Sequence, residues 1–491
     1  MINTIKKLTL IRVSTALVLA FAFMPIETIA QSNEASKSKK QVTYKKARVL
    51  QTKTAKKIAK VTEALEIVKI VQVKDTNKES ETYGQMIDAE EPNPDMVTVK
   101  KILDEMISQE ADMKSYDRSV MYNFVGYYYY DKGDYPKAIQ GYTKVVNEEE
   151  VTQPLRTGTL LTLASLHMIE GDWRKGINLI LQWMQEVETV TAQSWSLLAQ
   201  AYYQIEDFRE ALKASQTAVS LAELEGYTPK ENWYVIMAAS YEELKKEIGE
   251  KETILKQLEI YEVLVNLYPK KRYFLQLGQA YGTLGREADY MVALSAAYQS
   301  DYLDKQGEYL TLAQLLLMNG NPYQAASVIV AGQKKQVLVM NPKTKIEELK
   351  PVVEDTEKNL KLLADSWRMA QEIDKAIPVL EKAAKMSEEG TNYLVLGNLY
   401  LIEDKLDQAI NAIKKGIKKG KIKKISQAHL TLGQAYFELK NFDEAKKQFR
   451  VAARDEDKKV KKTANNWIKY TENEEKRMQS LQLRRDYIKK S

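Results

Sequence analysis

The chain of 491 residues contains no cysteine and only two histidines. Without thiols it can form no disulfide, no thiolate zinc site and no redox motif, and it cannot be a lipoprotein anchored through an N-terminal cysteine. Glycine and proline are also sparse, at 20 and 11 residues, whereas alanine, leucine, lysine and glutamate abound. Because residues that break helices are rare and good helix formers are common, the composition predicts an all-α fold.

Long apolar runs are absent after the first thirty residues. Lys6, Lys7 and Arg12 precede the apolar run Val13–Met24, and small residues lead up to Ala30. This pattern predicts a signal peptide over residues 1–30, with an uncleaved anchor as the alternative. No later run of about 18 apolar residues predicts a transmembrane segment in the mature chain. A long exported chain without disulfides suits a bacterial envelope, so we expect the periplasm.

The net charge of +6 is small, but the basic residues are clustered. Lys37 to Lys60 contains ten lysines and arginines and no acid, and a second basic patch covers Lys414 to Lys424. The first cluster is interpreted as a solvated helix, as a contact with anionic membrane or cell wall, or as a site for an acidic partner. Nucleic acid is not expected, because no stacking platform interleaves the charges and the signal peptide directs the chain out of the cytoplasm.

The region before the first clear repeat is predicted in three parts. Residues 31–42 form a flexible leader. Residues 43–114 form a basic N-terminal helical region, which contains an acidic loop over 74–95 and a helix over Met96 to Ile107. The first helical stretch, 43–73, is supported by apolar residues that can line one face: Val49, Ala55, Ile58, Ala59, Ala64, Leu65 and Val68.

The segment from Tyr122 to Val145 organises the rest of the chain. It predicts two short helices separated at Gly133-Asp134, with a small residue in each, Gly126 and Ala138. Such a hairpin cannot bury its apolar face alone, so it should recur along the chain.

The small residue of the first helix does recur, mostly at spacings of 33 to 40 residues. The positions are Gly126, Ala164, Ala199, Ala238, Gly278, Ala313, Ala364, Gly397 and Gly433. Lys334 to Lys358 interrupts the series and is predicted to be an insertion loop, and the fifth unit has Tyr290 where its second helix should carry a small residue. The spacing is close to the ~34 residues of a tetratricopeptide repeat. We therefore predict a right-handed solenoid of about nine helical hairpins over 115–456, closed by a C-terminal capping helix over 457–491.

A more specific resemblance follows from several motifs in order. They include Tyr44-Lys45-Lys46, Ser115-Tyr116-Asp117-Arg118, the stretch GYYYYDKGDYPKAIQGY, Tyr268-Pro269-Lys270 and Gln276 to Gly282. Over roughly residues 43–475 the chain resembles the exported tetratricopeptide proteins that accompany TonB-type energy-transduction systems in marine gammaproteobacteria. It departs from them in its acidic loop and its basic leader.

The resemblance implies a periplasmic accessory protein found with TonB, ExbB and ExbD, which use the proton gradient to drive uptake of iron complexes and other nutrients. We expect a scaffold or adaptor that binds protein partners. One alternative is a scaffold for outer-membrane or cell-wall assembly factors. A glycan-binding protein or envelope hydrolase is another, and it would need a pair of carboxylates converging in a cleft.

Catalytic signals are weak. His167 and His429 occupy positions that hold aromatic core residues in other repeats, so both are interpreted as core substitutions. The sequence contains no Ser, His and Asp arrangement that stands out, no phosphate-binding glycine loop and no metal-ligand spacing. We therefore expect no enzyme activity, no cofactor and no metal.

The inner wall of such a solenoid is built from the first helices, and its register selects residues that could bind a partner. Residues one, five and eight positions after the first core aromatic should point there. The candidates are Asn123, Tyr127, Tyr130, Ser196, Gln200, Tyr203, Leu275, Gln279, Leu394, Asn398, Leu430, Gln434 and Phe437. Aromatic rings with amides suit peptide binding. The alternative, that these faces pack against neighbouring turns of the chain itself, stays open. The wall has few lysines and arginines, so a clamp for C-terminal carboxylates is not expected.

Overall fold

The computed structural model describes residues 48–76, 80, 82–342 and 345–490. The predicted signal peptide, the flexible leader and the first part of the basic cluster lie outside these described residues. The chain divides into two compact units, the first ending at Lys256 and the second beginning at Gln257. Among the helices of the described ranges, none is both long enough and apolar enough to cross a membrane.

The N-terminal region mixes helices with a β-hairpin. Helix α1 (Thr52–Leu65) is followed by strands β1 (Val68–Lys74) and β2 (Met86–Pro92) and then by helix α2 (Met96–Ile107). A short 3₁₀ turn, Glu110–Asp112, leads to the first repeat.

The β-hairpin corrects two expectations, the helix up to residue 73 and the loop over 74–95. Strands β1 and β2 pair antiparallel, with Val71 opposite Ala89. The sequence VKIVQVK is rich in β-branched residues that alternate with polar ones, a pattern that favours a strand over a helix. The acidic segment supplies the second strand, and Lys69 pairs with Glu91 across the ladder at 3.0 Å.

Helical hairpins follow in the described part of the chain, as predicted. In the first part they pair α3 (Ser115–Asp131) with α4 (Tyr135–Asn147), α5 (Gln153–Ile169) with α6 (Trp173–Glu186), and α7 (Ala192–Gln204) with α8 (Phe208–Leu224). The helices α9 (Glu231–Glu243), α10 (Lys245–Ile248) and α11 (Glu250–Leu267) come next in the chain. The later pairs are α12 (Lys271–Thr283) with α13 (Glu287–Gln299), α14 (Gln306–Met318) with α15 (Pro322–Lys334), α16 (Glu357–Met369) with α17 (Ile373–Met386), α18 (Thr391–Ile402) with α19 (Leu406–Lys419), and α20 (Ile425–Glu438) with α21 (Phe442–Ala452). The last helix is α22 (Lys458–Lys490). The predicted all-α repeat fold is confirmed.

The predicted insertion loop contains a second β-hairpin instead. Strands β3 (Gln336–Met340) and β4 (Glu347–Pro351) pair antiparallel between α15 and α16. Val337 packs on the apolar core of the second unit, and Val353 just after β4 is fully buried there. These two anchors attach the insertion to the repeats, while its cross-strand pair Leu338 and Leu349 stays exposed.

The turn inside a hairpin is encoded locally. Asp134, just before α4, accepts a hydrogen bond from the backbone N–H of Lys137, which satisfies a free donor of the first turn. The residue before it, Gly133, has φ of 71°, a conformation that glycine adopts without strain. Asp172, Asp207 and Asn441 cap α6, α8 and α21 in the same way.

Small residues in the first helices make room for large side chains of the second helices. A Cβ on Gly126 would lie 2.7 Å from the ring of Tyr142, and one on Gly433 would lie 2.5 Å from the ring of Phe449. In the fifth repeat, Tyr290 fills the position expected to be small because Gly278 and Gly282 both face its ring. The irregular sequence of this repeat is therefore compensated within its own hairpin.

The final helix packs on the last hairpin, as expected of a cap. Ala464 is fully buried, and Trp467 stacks on Phe449 with ring centroids 5.4 Å apart. Lys446 of α21 forms an ion pair of 2.8 Å with Glu475. Beyond this pair the helix continues to Lys490.

We expect Gly141→Ala to lower the free energy of unfolding by about 1–3 kcal/mol, because overpacking a tight contact strains the backbone. The new Cβ would lie 2.8 Å from the backbone nitrogen of Gly126, which cannot move independently of α3. Urea unfolding would measure the change. Gly307→Ala in α14 is the matched control, since a Cβ there meets no atom within 4 Å. Equal stability of the two variants would contradict the proposed close approach.

Candidate functional site

Three of the predicted wall residues are buried and cannot contact a partner. Tyr127 is 9% exposed, Leu430 3% and Ser196 1%. Tyr127 belongs to the apolar cluster that joins α1 to α5, and Leu430 to the cluster that joins α19 to α22. The expectation that they line an accessible wall is therefore corrected, because neighbouring helices cover them.

Three predicted aromatic residues contact the second helix of their own hairpin. Tyr130 lies 6.0 Å from Tyr135, Tyr203 lies 5.3 Å from Phe208, and Phe437 lies 5.8 Å from Phe442, measured between ring centroids. In each case the partner ring comes five residues later, at the start of the second helix. These rings close the hairpin turn, which agrees with the alternative of packing within the chain.

The remaining candidates are half-buried or exposed. Asn123 and Gln200 in the first unit, like Leu275 and Leu394 in the second, are half-buried. Gln279 and Asn398 are exposed, and Gln434 is half-buried. The last three belong to a regular series in the second unit.

This series, here called the amide row, consists of Gln279, Gln314, Asn398 and Gln434. Each directly follows the small residue of its first helix, as Gln279 follows Gly278. The small residue faces the second helix of the hairpin, so the next residue is turned by 100° around the helix axis. The same register therefore places one amide per repeat on the corresponding face of α12, α14, α18 and α20.

The sequence analysis missed Gln314, and also Asp365, which takes the same position in α16. Both follow the recurring small residue, Ala313 and Ala364, so the register that selected Gln279 would have found them. Asp365 interrupts the amides with a carboxylate, which approaches the Arg368 guanidinium at 3.4 Å.

The amides of the row are available for hydrogen bonding. None of the four side chains forms a hydrogen bond with another residue in the described ranges. A side-chain amide offers two N–H donors and a carbonyl acceptor, so it can bind a peptide group through both its N–H and its C=O. A row of such groups suits the backbone of an extended polypeptide.

Exposed apolar side chains follow the amide row one helical turn later. Met318, Met369 and Ile402 come four residues after Gln314, Asp365 and Asn398, and are 63%, 48% and 67% exposed. Residues four apart lie on the same face of a helix. This apolar row can accept side chains of a bound segment, and methionine adapts easily to their shapes.

Two tyrosine–glutamate pairs hold amide-bearing helices against the preceding repeat. The Tyr281 hydroxyl donates a hydrogen bond of 2.7 Å to Glu262 Oε1, which joins α12 to α11. Tyr400 donates in the same way to Glu381, again nineteen residues earlier, which joins α18 to α17. Burial, together with the neighbouring glutamate, raises the pKa of each tyrosine to about 12.

The histidines and the cleft beside His167 show no catalytic arrangement in the described part of the chain. His429 Nδ1 lies 2.8 Å from Gln448 Oε1, and burial lowers the pKa of His167. His167 borders a cleft of about 370 Å³ formed by α4, α5 and α6, whose lining includes no aspartate or glutamate. No group of histidines and carboxylates that could hold a metal ion occurs among the described residues.

Family models identify the repeats directly. Two models described as tetratricopeptide repeat match residues 192–223 and 394–458. The chain contains tetratricopeptide repeats. The second match includes Asn398 and Gln434, so half of the amide row lies within recognised repeats.

The chain is also similar to several solved structures. A crystal structure of MamA protein is 22% identical over 37% of this chain and 91% of that one, with a TM-score of 0.31. The APC/C hetero-tetramer Cut9–Hcn1 is 13% identical over 77% of this chain and 93% of that one, with a TM-score of 0.30. MamA 41-end from Desulfovibrio magneticus RS-1 is 13% identical over 37% and 94%, also at 0.30. No curated protein matches the chain.

We expect Tyr281→Phe to remove a contribution to stability that depends on pH. Folding raises the pKa of this tyrosine from 10.0 to about 12, so its contribution is complete below pH 10 and is lost as the pH rises to about 12. The difference in urea midpoint between the parent protein and the variant should therefore close over this range. Exposed Tyr83→Phe is the control and should follow the parent protein. A difference that stays constant up to pH 12 would contradict the role of this hydroxyl.

Proposed function

We propose that the protein is a scaffold that binds an extended segment of a protein partner along the amide row. The observation that carries this proposal is the recurrence of an unpaired amide at one register position in four first helices of the second unit. The adjacent apolar row provides contacts for side chains, so both the backbone and the side chains of a partner would be recognised.

The spacing of the helices fits such a segment. Packed helices lie roughly 8–10 Å apart, and an extended chain advances about 3.3 Å per residue. Consecutive register positions would therefore contact about every third residue of the partner, with Asp365 at the position between Gln314 and Asn398. Side chains would then alternate between the apolar row and solvent, so we expect the bound segment to carry apolar residues among polar ones.

For the partner, we propose a component of a TonB-type nutrient uptake system in the periplasm. The motifs shared with exported tetratricopeptide proteins of such systems support this proposal, as does the signal-peptide pattern over residues 1–30. The repeats themselves support protein binding in general and give no indication of the nutrient.

Crosslinking in intact cells, with a tagged copy and mass spectrometry of the captured proteins, tests the identity of the partner. TonB, ExbB or ExbD among the captured proteins would support the proposal. Capture of outer-membrane or cell-wall assembly factors in their place would agree with a scaffold function but would reject a TonB-type partner.

We expect replacement of Gln279, Gln314, Asn398 and Gln434 by alanine to weaken binding of the captured partner about a hundredfold. Four net hydrogen bonds near the lower end of ~0.5–1.5 kcal/mol each sum to about 2–3 kcal/mol. Isothermal titration with the purified partner would measure the change, and the urea midpoint should not move.

The matched control replaces Gln299, Gln324 and Gln408, three exposed glutamines on second helices, by alanine. This variant removes side-chain amides from positions outside the amide row, so the affinity for the partner should stay unchanged. Equal losses in the two variants, or no loss in the first, would place the interface elsewhere.

A further inference from the structure

Positive charge is concentrated at the C-terminal end of the chain. Residues 405–491 contain 24 lysines and arginines against 11 aspartates and glutamates, although the net charge of the whole chain is only +6. The rest of the chain is therefore acidic on balance. This asymmetry points to an anionic partner for the C-terminal region.

The last helix extends well past the hairpin on which it packs. With 33 residues α22 is about 50 Å long, more than twice the length of α20. Its packed part ends near the ion pair of Glu475 with Lys446. No residue over 476–489 is buried, so this extension makes no contribution to the core.

The extension carries a narrow apolar stripe with cations beside it. At 100° per residue, Met478, Leu481 and Ile488 fall within about 80° of arc, and Ile488 is 62% exposed. Arg485 falls inside this arc, and Arg484 falls about 40° outside its Ile488 border. The cations of the extension are Lys476, Arg477, Arg484, Arg485 and Lys489, and its single acid is Asp486.

Asp486 lies away from the apolar stripe, and it accepts a hydrogen bond of 3.0 Å from Gln482 on the same side of the helix. Arg484 and Arg485 form no ion pair with any residue in the described ranges. The side of the extension that carries the stripe therefore combines apolar groups with uncompensated positive charge.

We propose that residues 476–489 lie flat on an anionic lipid surface, with the apolar stripe in the headgroup region and the arginines paired with lipid phosphates. Long basic side chains beside an apolar stripe can keep their charge at the phosphate level while their stems cover apolar surface. The contact is peripheral, in agreement with the lack of a membrane-crossing helix in the described part of the chain.

A second copy of the chain is a poor occupant for this surface. Pairing two extensions along their stripes would bring Arg484 and Arg485 of each copy against the same cations of the other. Like charges brought together in this way repel. Each cation near a lipid surface with negative headgroups instead strengthens binding to that surface by roughly a factor of five. Charge complementarity thus favours the lipid surface.

Sedimentation of the full chain with vesicles tests the proposal. We expect binding to equimolar phosphatidylglycerol and phosphatidylcholine, and none to phosphatidylcholine alone. Arg484→Gln with Arg485→Gln should lower the partition coefficient about twenty-five-fold, at a factor of five per cation. Lys358→Gln with Lys385→Gln removes the same charge from exposed positions elsewhere and should have little effect.

A second pair of variants tests the apolar stripe. Leu481→Gln with Ile488→Gln should abolish most binding, whereas Leu483→Gln, which changes an exposed leucine on the opposite face, should not. Neither change affects a buried residue, so the urea midpoints should match that of the parent protein.

Two results would overturn the proposal. One is equal binding to vesicles with and without phosphatidylglycerol. The other is equal binding by the stripe variants and the parent protein, together with full competition by soluble polyglutamate. This result would assign the extension to an acidic protein partner.

Discussion

The close contact between the two helices of each hairpin is the constraint on which the rest of the structure depends. A glycine or alanine in the first helix lets the second helix approach, and at Gly126 and Gly141 the two backbones nearly touch. Such contacts leave little freedom, because a packed interior does not deform to accommodate an added carbon. The rotation of the first helix about its axis is therefore fixed by one small residue.

The position of the amide row is a direct consequence of this fixed rotation. Gln279, Asn398 and Gln434 each come next to the small residue, so the contact that holds the hairpin together also turns these amides outward. On the other side of the same helices, Tyr281 and Tyr400 connect to glutamates of the preceding repeat. Packing on one side and hydrogen bonds on another thus hold the amides in register without using them.

The second unit combines two surfaces with different physical properties. The amide row is uncharged and is suited to a polypeptide backbone, whereas the extension of α22 is strongly basic and is suited to lipid phosphates. A protein that bound both could present a partner at a membrane surface. The first unit lacks an equivalent amide row, since its register positions hold Tyr127, Ser165, Gln200 and Ala239, of which only Gln200 is an amide.

The sequence by itself determined the helical hairpins and the register that selected Gln279, Asn398 and Gln434. Periodic small residues and capping residues such as Asp134 act within a few residues of the chain, so their effects can be read locally. Only the tertiary structure decided that Tyr127 is buried and that Tyr130 and Tyr203 close their own hairpins. Spacing along a helix gives the direction of a side chain, but how far it is covered depends on neighbouring helices that local sequence does not specify.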